Sequence, residues 1–191
     1  MNNKSLFEEG AIRLTALDPE KDAEVLSGWT HSPSFVNHHF KGIFRPYMVS
    51  EVKKKMKETL KKAGERNLEY YFAVREVDSG KMVGLLKFGY VLGSNQASWM
   101  YLDMVDEAAF STHAKVVLQM ALRYAFMELS LHRVGVDIPA YKEEEITLYE
   151  EAGFLRESQR RQAVFYNGEY YDQLVYAILR SEWKKQQEAA S

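Results

Sequence analysis

Strand-like and helix-like apolar patterns alternate along this chain in an order that requires a mixed β-sheet. Strand–helix–strand segments need parallel crossovers, whereas strands joined by short turns pair antiparallel. The patterns predict a single α+β domain with a central mixed, mostly antiparallel sheet of about seven strands, flanked by about four helices. Strands are predicted over 12–16, 70–77, 82–91, 97–105, 134–138, 164–166 and 169–179, and helices from 18, from 50, over 113–130 and over 143–152.

Two turn sequences fix the antiparallel pairs. Asp78-Ser79-Gly80-Lys81 separates two runs rich in aromatic and β-branched residues, and Asn167-Gly168 is the strongest two-residue hairpin signal. At 191 residues the chain is expected to be one domain, with an ordered core over 12–183 and a polar, fraying tail over 184–191.

Composition removes several classes of function. With 25 basic and 27 acidic side chains the net charge is −2, so binding to nucleic acid or membranes through bulk charge is not expected. The absence of cysteine removes disulfides, thiolate metal sites and cysteine nucleophiles. No secretion signal or membrane-spanning stretch is evident, and we expect a cytoplasmic protein.

Common site motifs are also missing. His38 and His39 are adjacent and would point to opposite faces of a strand, so no metal site is expected. The helix from Ser50 carries many lysines away from its apolar stripe; a solvated surface is favoured over a phosphate-binding face. No nucleotide-binding glycine motif or nucleophile elbow is present.

Three ordered segments in the second half carry a resemblance. They are Y-A-F-x-E-L-x-L-H-R-V from Tyr124, L-Y-E-x-x-G-F from Leu148 and N-G-x-Y-Y-D from Asn167. In this order they resemble the GNAT acyltransferase superfamily, in particular the branch that acetylates ribosomal-protein N-termini, together with similar enzymes for polyamines. The resemblance implies acetyl transfer from acetyl-CoA to a primary amine, with the cosubstrate between strands 99–105 and 133–138.

Two residues are expected to move protons. Tyr149 matches the family tyrosine that protonates the departing thiolate; the alternative is an interior aromatic residue on its helix. Asp103 is the best-placed carboxylate for water-mediated removal of the amine proton, because it lies on the strand nearest the expected thioester. The alternative for Asp103 is a hydrogen-bonded or solvent-facing strand residue.

The expected diphosphate loop departs from the family pattern. The family loop is glycine-rich, so that its N–H groups converge on the diphosphate. Here the segment Ala109–Ala114 takes the place of this loop, and Phe110 is expected to obstruct phosphate oxygens. Lys142 takes the place of a family asparagine. It is expected either to pair with a phosphate or to begin an acidic helix. The expected cosubstrate-binding residues are Met104, Val105, Ala109, Phe110, Ser111, Thr112, His113, Ala114, Lys115 and Lys142.

The acceptor and the assembly are less constrained by sequence. The expected acceptor is a peptide N-terminus or a small amine, set by residues 28–48 and 159–171. The four aromatic residues over 165–171 either line the acceptor site or serve edge packing. The alternative to an enzyme is a catalytically silent GNAT-fold binder that has lost the glycine-rich loop. A homodimer is plausible from the family.

Overall fold

A computed structural model describes residues 5–32, 35, 45–66 and 68–189. These residues form eight strands, five α-helices and one π-helical turn. The strands are β1 (Glu8–Glu9), β2 (Ile12–Thr15), β3 (Tyr70–Glu76), β4 (Met82–Leu92), β5 (Ala97–Met104), β6 (Arg133–Pro139), β7 (Leu155–Tyr166) and β8 (Glu169–Leu179). The helices are α1 (Asp22–Thr30), α2 (Val49–Arg66), α3 (Glu107–Arg123), α4 (Glu143–Glu151) and α5 (Arg180–Ala189), and the π-helical turn Tyr124–Glu128 follows α3.

The strands form one sheet in the order β1-β2-β3-β4-β5-β6-β8-β7. Strands β5 and β6 pair in parallel, while β1–β2, β2–β3, β3–β4, β6–β8 and β7–β8 pair antiparallel. The predicted α+β fold with a mixed, mostly antiparallel sheet is therefore confirmed. The two hairpins that the turn sequences predict are both present.

Contacts group the chain into two units, and the first consists of residues 1–89 and 101–121. Its sheet buries Ile12, Val74 and Leu86, each at most 1% exposed. The buried Asp22 carboxylate at the start of α1 accepts a hydrogen bond from Arg75 at 2.5 Å and one from the Asp18 N–H at 2.8 Å. This paired charge ties α1 to strand β3.

The second unit consists of residues 90–100 and 122–191. Strand β8 lies between β6 and β7 and is almost continuously buried from Gln173 to Ile178. The ring of Phe126, fully buried, packs 5.3 Å from that of Trp183 in α5. Strand β8 is therefore the central strand of this unit's core.

Four features outside α3 differ from the sequence prediction. Strand β7 begins at Leu155, nine residues before the predicted 164, because an exposed edge strand needs no apolar alternation when β8 supplies its hydrogen bonds. Residues 184–189 are helical rather than a fraying tail, since they are mostly good helix formers. Helix α1 begins at Asp22 rather than near Asp18, and strand β1 was not predicted.

Helix α3 shows the difference that matters most for function. It begins at Glu107, six residues before the predicted start at His113. The reason is a start signal that the sequence prediction overlooked: Asp106 precedes a run with no glycine or proline. Among the described residues, no helix is long and apolar enough to cross a membrane.

Candidate active site

Asp103 lies on the less buried face of β5. Burial alternates strictly along this strand, with Ser98, Met100, Leu102 and Met104 buried and their neighbours partly exposed. The predicted facing of Asp103, away from Met100, Leu102 and Met104, is therefore confirmed. The Asp103 side chain is partly exposed, and its role in proton removal stays a prediction.

The parallel pairing of β5 with β6 is short. Its register runs from Ala97 opposite Arg133 to Trp99 opposite Gly135. Strand β6, by contrast, pairs with β8 over its whole length to Pro139. A Cβ at Gly135 would stand 3.0 Å from the ring of Trp99, so a side chain there requires the ring to shift.

The segment expected to be a diphosphate loop is part of α3. From Glu107 onward the backbone is helical, and Ala109, Phe110 and Ala114 are buried. Phe110 is only 8% exposed and belongs to the buried face of the helix, and its expected obstruction of phosphate oxygens stays a prediction.

The polar side chains of this segment already have partners within the first unit. The Ser111 hydroxyl donates to the Glu107 carbonyl at 3.0 Å, and the Thr112 hydroxyl to the Ala108 carbonyl at 2.7 Å. His113 Nε2 lies 3.8 Å from a Glu76 carboxylate oxygen. Val105 donates its backbone N–H to the Val83 carbonyl. Lys115 is a cation on the exposed face of the helix.

Sequence reasoning missed the role of Asp106. Its side-chain Oδ1 accepts the Ala109 N–H at 2.8 Å, which makes it the N-cap of α3, and its carbonyl accepts the Phe110 N–H at 3.0 Å. Glu107 adds a second carboxylate in the first turn. The positive end of this helix is therefore capped by the protein's own acidic residues.

Tyr149 lies in the second unit, on α4, and is 4% exposed. Its ring meets that of Phe154 edge-on, with centroids 5.1 Å apart. Gly153 ends the helix at φ +84° and so allows Phe154 to turn back toward Tyr149, with its N–H donating to the Tyr149 carbonyl at 2.9 Å. The L-Y-E-x-x-G-F motif thus fixes the tyrosine ring, and the catalytic role of Tyr149 stays a prediction.

Lys142 immediately precedes α4. Its ammonium lies 2.5 Å from Glu145 Oε1, and the lysine side chain is 9% exposed. Three consecutive glutamates, Glu143 to Glu145, form the first turn. Lys142 therefore begins an acidic helix, which is one of the two roles expected from the sequence. The other role, pairing with a phosphate, stays a prediction.

A cluster of three tyrosines, Tyr141, Tyr166 and Tyr171, lies at the β7–β8 hairpin. The rings of Tyr141 and Tyr166 stack at 4.5 Å, and Tyr171 meets Tyr141 edge-on at 4.9 Å. The Tyr171 hydroxyl donates to Glu169 at 2.9 Å. We call these three residues the tyrosine cluster.

Tyr141 in this cluster was not predicted from sequence, since nothing near Pro139 shows which hairpin residues it meets. Its hydroxyl is buried and has no hydrogen-bond partner among the described residues. Burial, followed by the charges of Tyr166, Glu145 and Tyr171, raises the pKa of Tyr141 to about 12. The surroundings of this hydroxyl therefore disfavour negative charge.

A bulge in β7 faces Asp172. Arg160 pairs with Gln173 and Val164 with Tyr171, so three residues of β7 lie opposite Asp172 alone. The Asp172 carboxylate accepts the Gln162 N–H at 2.8 Å and a bond from the Gln159 amide, and these two bonds, in that order, lower its pKa. Arg161, Gln162 and Asp172 line an open cavity of about 620 Å³.

Some predictions fall outside the described residues. His38, His39 and most of the 28–48 segment expected to shape the acceptor site are not among the described residues. Within the described ranges, no group of three or more metal-ligating side chains is present. Lys53 and Lys57 of the lysine-rich helix α2 are paired with Glu20, whose pKa they lower to about 2.

Comparison with known proteins identifies the family. The acetyltransferase (GNAT) domain family model matches residues 16–175. The uncharacterized N-acetyltransferase YokL of Bacillus subtilis, derived from the SPbeta prophage, is 28% identical over 129 residues, 68% of this chain and 72% of the relative. The spermidine N(1)-acetyltransferase of Vibrio cholerae is 25% identical over 122 residues, 64% of this chain and 70% of the relative.

Solved structures share the fold. A spermidine N-acetyltransferase from Vibrio cholerae, solved with CoA and spermine, superposes with a TM-score of 0.78 at 21% identity, covering 92% of this chain and 99% of that one. A structure described as a probable acetyltransferase gives a TM-score of 0.80 at 19% identity, covering 92% and 96%. This chain therefore belongs to the GNAT acetyltransferase family, and the prediction of an acetyl-CoA-dependent N-acetyltransferase is confirmed.

Proposed function

We propose that this enzyme acetylates the primary amino group of a small cationic amine. The reaction is direct transfer, in which the amine nitrogen bonds to the thioester carbonyl carbon and the carbon–sulfur bond then breaks. Acetyl-CoA supplies the activated acyl group. The amine loses one proton and the thiolate gains one, so the chain needs a base and an acid.

Asp103 and Tyr149 are the residues we propose for these proton transfers. Asp103, on the partly exposed face of β5, accepts the amine proton through water. Tyr149 donates its phenolic proton to the thiolate. A phenol has a pKa of about 10 and a thiol one of about 8.5, so a hydrogen bond or charge that builds up during the transfer has to assist this step. The edge-on contact with Phe154 holds the tyrosine ring in one orientation, which favours transfer from a fixed position.

The tyrosine cluster is the observation that supports a cationic acceptor. Aromatic faces attract ammonium groups, and Glu169 adds a carboxylate beside the rings, whereas Glu145 is already paired with Lys142. A buried hydroxyl without a partner costs about 1–3 kcal/mol, which an acceptor that hydrogen-bonds Tyr141 would offset. An acceptor with a second positive charge fits these groups better than a neutral peptide chain.

One relative supports this choice. The Vibrio cholerae relative that matches 64% of this chain is named for spermidine. A putative ribosomal N-acetyltransferase of Bacillus subtilis is 35% identical but over only 33% of this chain. Acetylation of a protein N-terminus is therefore the second candidate. The cytoplasmic location and a homodimer stay proposals; one related structure is described as dodecameric.

An acceptor panel tests the proposal. With acetyl-CoA fixed, kcat/KM is measured for spermidine, for butylamine and for a neutral peptide with a free N-terminus. We expect spermidine to exceed both others by about tenfold or more, since one cation–aromatic contact with a carboxylate supplies about 1.4 kcal/mol. A preference for the peptide, or no acetylation of any acceptor, would overturn the proposal.

A variant pair sharpens this panel. Glu169→Gln removes the carboxylate that Tyr171 contacts and should raise KM for spermidine several-fold, with little change for butylamine. Glu144→Gln, an exposed charge on α4, is the matched control and should change neither KM. Equal effects of the two variants on spermidine would remove the tyrosine cluster from acceptor recognition.

A further inference from the structure

The backbone amides at the start of α3 are used in part by the chain itself. A helix leaves its first four N–H groups without helical partners, here those of residues 106–109, because Asp106 is the N-cap. The Ala109 N–H bonds to the Asp106 side chain and the Phe110 N–H to the Asp106 carbonyl. From Phe110 onward the amides belong to the helix, so among these four only those of Asp106, Glu107 and Ala108 can be offered to a ligand.

The charges at this helix end oppose a diphosphate. Asp106 and Glu107 place two carboxylates at the positive end of α3, where a phosphate group would otherwise be stabilised. A diphosphate brought to this end would meet like charges, because Asp106 holds the position that an anionic ligand would take.

The hydroxyls and small residues of the segment do not compensate. The Ser111 and Thr112 hydroxyls donate back to their own helix, and Ala109 and Ala114 are buried. With no glycine from 106 to 115, a close approach of the backbone to phosphate oxygens is not available. The start of α3 therefore does not fit the diphosphate of CoA.

We propose that this enzyme recognises its acyl donor through the acyl-pantetheine portion and gains little affinity from the diphosphate and nucleotide. This inference rests on the proposed acetyl transfer. It follows that an acetyl thioester of pantetheine, which lacks both groups, is also a donor. Asp106 is then a specificity-determining residue, because its carboxylate occupies the helix end that a diphosphate would need.

Binding calorimetry with CoA and with pantetheine tests the inference without turnover. For the unmodified enzyme we expect the two dissociation constants to agree within about tenfold. Asp106→Asn keeps an N-cap side chain and so keeps the fold, but it removes the charge. This variant should bind CoA more tightly, by several-fold, and leave pantetheine affinity unchanged.

The control and the contrary outcomes are distinct. Glu58→Gln removes an exposed charge from α2 and should alter neither dissociation constant. A preference for CoA above about a hundredfold in the unmodified enzyme, or no change in CoA binding for Asp106→Asn, would overturn the inference. Acetyl transfer from acetyl-CoA alone, with none from acetylpantetheine, would also overturn it, whereas transfer from neither donor would overturn the proposed function itself.

Discussion

The start of α3 and the segment from Lys142 to Phe154 differ in how far they keep the family pattern. The first has no glycine, and its helix begins at an N-cap formed by the Asp106 side chain. The second keeps L-Y-E-x-x-G-F, with Gly153 at positive φ and Tyr149 fixed against Phe154. The fold around both segments is the same family fold.

This difference separates two tasks of an acyltransferase. Holding the nucleotide part of a donor is favoured by glycines and by a helix start without negative charge, whereas the first segment has no glycine and carries Asp106 and Glu107. Orienting an acid near the breaking bond requires a fixed side chain, and the second segment provides one. Donor affinity and acyl transfer are therefore expected to respond to different substitutions.

The largest expected effect is on turnover. Tyr149→Phe keeps the ring contact with Phe154 but removes the proposed acid, so kcat should fall by about 100-fold with little change in donor affinity. Steady-state kinetics measure this, and Tyr176→Phe, which removes only a hydrogen bond to Glu150, is the control. Unchanged turnover in Tyr149→Phe would leave the second segment with a structural role alone.

Gly153→Ala tests whether the backbone of the second segment needs its glycine. At φ +84° an alanine is strained, and its Cβ would also displace the Gln186 side chain, so we expect a loss of about 1–2 kcal/mol in the free energy of unfolding. Gly64→Ala in α2, where a Cβ meets nothing within 4 Å, should instead stabilise by up to about 1 kcal/mol. Urea denaturation measures the free energy of unfolding of both variants, and a Gly153→Ala protein as stable as the unmodified one would show that the second segment does not need its glycine.

Tyr141→Phe separates stability from acceptor binding. Removing a buried hydroxyl that has no partner among the described residues should stabilise the fold by about 1 kcal/mol. The same variant should raise KM for spermidine, because the acceptor loses a hydrogen-bond partner. Thermal unfolding and kinetics measure the two effects, and a destabilised variant would show that the hydroxyl is satisfied in the folded protein.

The smallest effect concerns Asp172 and acid stability. Its folded pKa lies below the unfolded value of about 3.9, so its contribution is present above that pH and is lost as the pH falls through the folded pKa. Asp172→Asn should therefore unfold with a shallower pH dependence below pH 4 than the unmodified protein. Identical acid-unfolding profiles would show that the β7 bulge does not depend on this carboxylate.

Sequence patterns predicted the fold well where burial alternates or where turns are specific. The β3–β4 hairpin follows from its two apolar runs and the Asp78–Lys81 turn between them. The face of β5 on which Asp103 lies follows from the alternation of apolar residues along that strand. Strand β7 did not follow, because its first nine residues are exposed and mostly polar and its pairing depends on β8. An edge strand of this kind carries no periodic signal of its own.

The site was predicted less completely than the fold. Tyr149 and Asp103 were found through the resemblance and through strand position. The N-cap role of Asp106 was not, because family spacing placed a loop where the local residues favour a helix start. The tyrosine cluster depends on contacts between Tyr141 and a hairpin 25 residues or more away, which no local pattern encodes.

Product analysis tests the central claim most directly. The unmodified protein is mixed with acetyl-CoA and spermidine, and free thiol and acetylated amine are quantified together by mass spectrometry. The account predicts that both appear in equal amounts and only when protein is present. Thiol release without acetylated amine, or the absence of both products, would contradict an acetyltransferase acting on a small cationic amine.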